Sequence, residues 1–373
     1  MFRCVADALE RKAQVKRLAT APQALALAAT VLAAAALAAP AGAAAGGAAD
    51  TVTISGRAYS FNHMSTFLEG AVIKVREIPG LSATTDANGD YPLEVPDDTN
   101  VTPYIDPPDG WNEIDLQTFH TRGEDIENAN FQTPADLEYN ALAAILSVPI
   151  DAQTGRPAQC VIVTTASARN VRGVDYETFR ERTPHGVPGA TSTESPALDG
   201  PIYFNENVIP DPSKTETSED GGIIWSVVPA GTYRIETSSP DTRFASFLAT
   251  CKDGRVVNAN PPWGAYELSG DEQPLGASIV AASVTGVDAR RAGGKRKVTV
   301  TIDSGEATRV NAVLRKNGKR IGHTRTDIGT GTKKVEVRVR PKAGKGKATL
   351  SVRLRDAAKD KVEGDHEVVL PRR

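Results

Sequence analysis

The feature that most constrains this chain is strict apolar–polar alternation in short runs closed by turn residues. Val335, Val337 and Val339 fall on one side of an extended backbone, and Glu336, Arg338 and Arg340 on the other. Leu350, Val352 and Leu354 repeat this against Arg353 and Arg355, and Val298 to Ile302 alternates in the same way. Asn317-Gly318 joins Leu314-Arg315-Lys316 to Lys319-Arg320-Ile321 as a hairpin. Such strands bury one face only by stacking sheet on sheet. Six or so strands between residues 284 and 373 predict a sandwich whose outer faces carry many Lys and Arg.

The rest of the chain follows the same rule with shorter strands. Val52 to Ser60 reads as a first strand broken at Gly56, and Ala71 to Arg76 as a second. Asp86-Ala87-Asn88-Gly89-Asp90 reads as a tight turn with positive φ at both central residues. Tyr91 to Val95, Val101 to Ile105, Ile114 to Phe119 and Ala129 to Gln132 complete a sandwich over residues 51–133. Pro134 to Leu146 departs from the pattern. Leu137, Ala141, Ala144 and Ile145 recur at helical spacing behind Asp136, which predicts a short amphipathic linking helix. A second, elaborated β unit completes residues 134–270. The fold class is therefore all-β, as tandem sandwiches. The 32 Gly and 24 Pro against only 2 Met suit it.

The second unit echoes the first. Leu68-Glu69-Gly70-Ala71-Val72 answers to Val187-Pro188-Gly189-Ala190-Thr191, and Gly89 to Pro96 answers to Gly222 to Pro229 at the same spacing of seven. Gly70 to Gly89 is 19 residues and Gly189 to Gly222 is 33, so the second copy carries an insertion. The Gly-Ala-Val-Ile opening at Gly70, the Asp86-x-x-Gly89-x-Tyr91 hairpin and the Val228-Pro-Ala-Gly-Thr-Tyr233 close resemble carboxypeptidase regulatory-like domains. The resemblance covers residues 51–105 and 186–237. It implies transthyretin-like sandwiches of the carbohydrate-binding-like group, and its members range from peptidase appendages to adhesin stalks and sugar-binding modules. Residues 284–373 resemble a fibronectin type III or immunoglobulin-like module.

The first 45 residues read as a bacterial-type export signal. Arg11, Lys12, Lys16 and Arg17 precede an Ala/Leu-rich run from Ala24 to Ala39, then small residues such as Ala41-Gly42-Ala43. An uncleaved anchor is the alternative. Cleavage predicts a secreted or envelope-associated protein without a membrane span. It removes Cys4 and leaves Cys160 and Cys251, which an oxidising compartment would join. Charge divides sharply near residue 275. Residues 46–275 hold 14 Lys and Arg against 34 Asp and Glu, whereas residues 276–373 hold 24 against 10.

Known catalytic patterns do not fit. No His is followed three residues later by Glu, which the zinc peptidases bearing such domains require, and no two His fall two apart as in intradiol dioxygenases. Asp86-x-Asn88-x-Asp90 begins like a calcium loop but has Tyr91 where Gly belongs. Lys74 is the lysine available for an adhesin-type isopeptide link, with no acid indicated opposite it. Trp111 and Trp263 lie in Pro/Gly loops, where they either stack on sugar rings or anchor their own loops; Trp225 reads as core. Asp136, Glu138, Asp175, Glu177, Glu181 and His185 leave room for an unfamiliar site in residues 134–185. The expectation is a non-enzymatic extracellular binding protein without metal or cofactor. Its partner is a carbohydrate or an anionic envelope polymer, not nucleic acid. The alternative is a structural or adhesive stalk that binds another protein. The basic module has three uses open to it: a polymer, the acidic part of its own chain, or solvent alone.

Overall fold

The computed structural model describes residues 50–182, 184–259 and 261–372, so the export signal and Cys4 lie outside the described residues. Among those described, no helix is long and apolar enough to cross a membrane. The architecture is all-β, with three sandwich cores in succession.

In the first sandwich the strand Thr51–Ser60 is central. It pairs antiparallel with Asp90–Pro96 in unbroken register from Thr51↔Pro96 to Arg57↔Asp90. His63–Phe67 and, in parallel, Phe131–Thr133 flank its far end. Ser82–Thr84, Val72–Val75 and Pro103–Asp106 make the facing sheet. Val52, Ile54, Ile73, Tyr91, Leu93 and Ile105 fill the space between. The break expected at Gly56 is absent. A Cβ there would stand 2.3 Å from the Ala129 carbonyl oxygen, so the glycine admits a neighbouring chain instead of ending the strand. That chain bonds through Ser55 N–H to Ile126 O (2.8 Å) and Ala129 N–H to Ser55 O (2.9 Å).

The second sandwich is built on the same plan around Cys160–Ser167. This strand pairs antiparallel with Gly222–Val228 and parallel with Val256–Ala259 and Ala265–Leu268. Thr191–Ser195, Gly231–Ser238 and Phe247–Cys251 pair in the second layer. One side-chain constellation marks the duplication. Thr85 Oγ accepts from Ala71 N–H and donates to Leu68 O, and Thr217 Oγ accepts from Ala190 N–H and donates to Val187 O. Gly89 and Gly221, at φ +76° and +75°, accept from Ala58 and Ala166 N–H at 2.8 Å each.

The equivalent of Gly89 is therefore Gly221, one residue before the Gly222 chosen from sequence. A register shift between Cys160 and Ile162 absorbs the extra residue, which restores Pro96 to Pro229. The insertion supplies Ile202–Phe204 and Pro210–Asp211, an added hairpin on the edge of Gly222–Val228. The disulfide between Cys160 and Cys251 is present, with Cα atoms 5.5 Å apart, and ties the first strand of this sandwich to the end of Phe247–Cys251. By loop entropy a closure of 91 residues stabilises by at most ~4–5 kcal/mol.

Between these sandwiches lie helices α1 (Asp136–Ile145) and α2 (Tyr176–Glu181). Helix α1 forms where expected but faces the other way. Leu137, Ala141, Ala144 and Ile145 are all exposed, Leu137 by 82%. Tyr139, Leu142, Ala143 and Leu146 line a crevice of about 90 Å³ against Val161, Phe204 and Ile224. Asp175 caps α2 through Thr178 N–H (3.0 Å). Tyr176 of α2 packs edge-on against Tyr59 and Phe67, under the Arg57 guanidinium.

The third sandwich sets Ala282–Ala292, Lys295–Ser304 and Lys333–Arg338 against a sheet ordered Lys319–Ile328, Thr308–Lys316, Gly346–Arg355, Lys361–Leu370. Three strands facing four is the arrangement of an immunoglobulin-like module. Its core is Val, Ile, Leu and Ala alone; residues 276–373 contain no Phe, Tyr or Trp. Asn317 (φ +47°) and Gly318 (+74°) both adopt the left-handed turn expected of them. In the Asp86–Asp90 turn only Gly89 does, because the Asp86 carboxylate accepts from Asn88 and Asp90 N–H and sets a different turn.

Candidate functional site

Most of the residues singled out from sequence have internal partners. Trp111 donates its indole N–H to Ser60 Oγ (3.1 Å) and bridges to Ala135, which fixes its loop to the start of α1. Trp263 is 6% exposed, donates to Glu127 O (2.8 Å) and meets Phe119 edge-to-face at 5.0 Å. Both indole N–H groups thus serve their own loops, with Trp263 nearly buried and Trp111 half-buried. Trp225 is core, with its N–H on Glu194. Lys74 meets Asp106 at 2.8 Å in an exposed ion pair, and Asp90 is held by Arg57 at 2.6 and 2.7 Å.

Within residues 134–185 the acids serve local structure. Asp136 and Glu138 occupy the first turn of α1, Asp175 caps α2, and Glu177 pairs with Arg180. Glu181 ends α2 exposed to solvent. His185 stacks on the Phe179 ring with its Nε2 at 3.0 Å from Phe179 O, and burial holds its pKa below the ordinary histidine value. Among the described residues no group of three His, Cys, Asp or Glu could hold a metal ion. The crevice under α1 is far smaller than the ~300–1,000 Å³ of ordinary ligand pockets, whereas an open cleft of about 470 Å³ beside His185, Glu219 and Asp220 falls within that range.

Buried polar chemistry concentrates at the junctions between sandwiches. Residues 114–119 line the first sandwich as expected, through Ile105 N–H to Ile114 O (3.1 Å) and Leu116 N–H to Pro103 O (2.8 Å), and they also bridge to the second. Asp115 N–H donates to Val256 O (2.8 Å), Asn258 N–H to Asp115 O (2.7 Å), and Thr118 N–H to Leu248 O (2.8 Å). Only Phe119 belongs to a local strand, Phe119–His120. The Asp115 carboxylate is 1% exposed and takes both arms of Arg76 (2.5 and 3.1 Å), with Arg255 at 3.5 Å. Trp263, Tyr266 and Leu268 of the second sandwich complete the core of the first. The two copies are thus fused along one side.

The third sandwich is held by a second buried group. Arg234, 2% exposed, pairs with Glu306 and lies 3.5 Å from Asp356, while Glu306 also accepts from Ala281 N–H (2.7 Å). Ser246 donates to Asp360 at 2.8 Å. Arg122 of the first sandwich reaches the carbonyls of Val280 and Ala282. The cation comes from the acidic part of the chain and the anions from the basic part, the reverse of what net charge suggests. Burial, with Glu306 adding to it against the pull of Arg234, pushes the Asp356 carboxyl up to about 7. Burial likewise pushes Asp220 up to about 6.

No family model and no curated protein matches the sequence. Among solved structures the chain is similar to a DUF3823 family protein from Bacteroides ovatus (13% identity, 57% of this chain, 100% of that chain, TM-score 0.19). It is also similar to a Streptococcal ancillary pilin (9%, 87%, 100%, 0.17). A third is the tetra-tandem repeat in the extending region of a large adhesion protein (13%, 86%, 74%, 0.22). At TM-scores this low the likeness carries no argument about function.

Proposed function

We propose that the chain is a non-catalytic structural or adhesive module that works outside the cell, with its first two sandwiches a duplicated transthyretin-like pair of the carboxypeptidase regulatory-like kind. The observation that carries this is the bracing of successive sandwiches by the buried contacts Asp115–Arg255 and Arg234–Glu306 and by shared backbone bonds at Asp115. An enzyme usually concentrates its buried charge in a cleft open to substrate. Here two buried charges, Asp115 and Arg234, each meet an opposite charge across a junction, at Arg255 and Glu306. The disulfide suits an oxidising compartment. A sugar-stacking role has less support, because Trp111 and Trp263 are both engaged internally.

Adhesion is tested directly with beads carrying the mature chain, applied to the producing cells under flow. Coated beads are expected to resist shear that removes bare ones. No difference, together with activity-free protein recovered from the cytosol, would sink the proposal.

A further inference from the structure

The positive excess of the third sandwich is concentrated at one end. The Ala292–Lys295 and Lys316–Lys319 hairpins and the loop after Lys333–Arg338 converge at one end. The Arg296 guanidinium bonds Ala343 O and Gly344 O, Arg340 N–H donates to Ile321 O (2.8 Å), and Lys316 Nζ reaches Lys345 O. Residues 290–297, 314–321 and 338–347 hold five, four and five Lys or Arg and no Asp or Glu. Most of these cations are exposed and lie outside the ion pairs of the described residues. The opposite end carries Glu306, Asp356 and Asp360 and is occupied by the junction with Arg234. The basic end is therefore not consumed by docking onto the acidic sandwiches.

We infer that this end is a docking surface for an acidic, carboxylate-bearing polysaccharide. It contains no aromatic side chain on which a base or a sugar face could stack, and Asn317 is its one amide. Recognition is then by charge alone. The extracellular setting proposed above favours a carboxylated polysaccharide over nucleic acid as the polyanion. The inference gives the proposed extracellular module a partner class; its test in purified form needs no adhesion.

The probe is polygalacturonate immobilised on a sensor, with dextran and a DNA duplex as comparisons, and the full mature chain as analyte. The chain is expected to bind polygalacturonate but not dextran, and to lose affinity by about tenfold or more as salt rises from low to physiological strength. The triple reversal Lys319→Glu, Arg320→Glu, Lys342→Glu, all at exposed positions, should lower affinity by about tenfold or more. The same number of reversals at exposed Arg325, Lys333 and Lys334, away from the three loops, should leave most of it. Equal losses in the two triples would reduce the effect to net charge and overturn the inference. So would tighter binding to the duplex, or no binding to polygalacturonate at low salt.

Discussion

Asp356 shows how much one side chain at a junction can control. Its side chain is fully enclosed, and Arg234 is already matched by Glu306, so the second carboxyl keeps its proton up to about pH 7. In the unfolded chain the same group titrates near 3.8. The folded state thus holds the extra proton between the two values. The stability this group supplies is complete below the lower value and is lost as pH rises through the upper one. Asp356→Asn should unfold at higher denaturant than the parent by a margin that is smaller near pH 5 than near pH 8.5. An equal midpoint at both pH values in parent and variant would refute this. A smaller slope from Asp220, whose carboxyl sits near 6, should remain in both. Nothing near Asp356 in sequence announces its role, because its partner Arg234 lies far away in a segment of opposite net charge.

At the scale of elements, the sequence conveyed strands well and their partners less well. The third sandwich was legible because each strand has one wet face, so alternation reports orientation directly. Residues 114–119 also read correctly as extended chain of the first sandwich, but their further bonds to Val256, Asn258 and Leu248 of the second are encoded by no local pattern. The duplication was visible while its frame was not, since a bulge leaves the Gly-to-Pro spacing ambiguous by one residue. Helix α1 fails for a different reason. Leu137, Tyr139, Ala141, Leu142, Ala143, Ala144, Ile145 and Leu146 surround it almost completely, so periodicity cannot select a face. The structure selects Leu142. Leu142→Ala should cost about 1–3 kcal/mol, less than a fully buried leucine, and Leu137→Ala less than ~0.5 kcal/mol, read from urea unfolding. The reverse ranking would place the helix wrongly.

For the whole molecule, the junctions decide whether three cores behave as one. All three tryptophans lie in the first two sandwiches, and the third has no aromatic ring except histidine. Fluorescence therefore follows the first pair, whereas far-ultraviolet dichroism follows all three. In the parent the two signals should unfold together. Glu306→Gln leaves Arg234 buried without its best partner, at a cost of ~3–5 kcal/mol to the contact. The dichroism transition should then begin before the fluorescence one. Coincident curves in that variant would show that the ion pair does not couple the sandwiches.

The concentration of positive charge at one end of the last sandwich has an electrical consequence. Positive tip loops at one end and strongly acidic sandwiches joined at the other give the molecule a permanent dipole moment. In an electric field it should rotate before it migrates. Close to a negatively charged wall it should arrive upright, leading with its C-terminal hairpins, so that the first touch is already the oriented one.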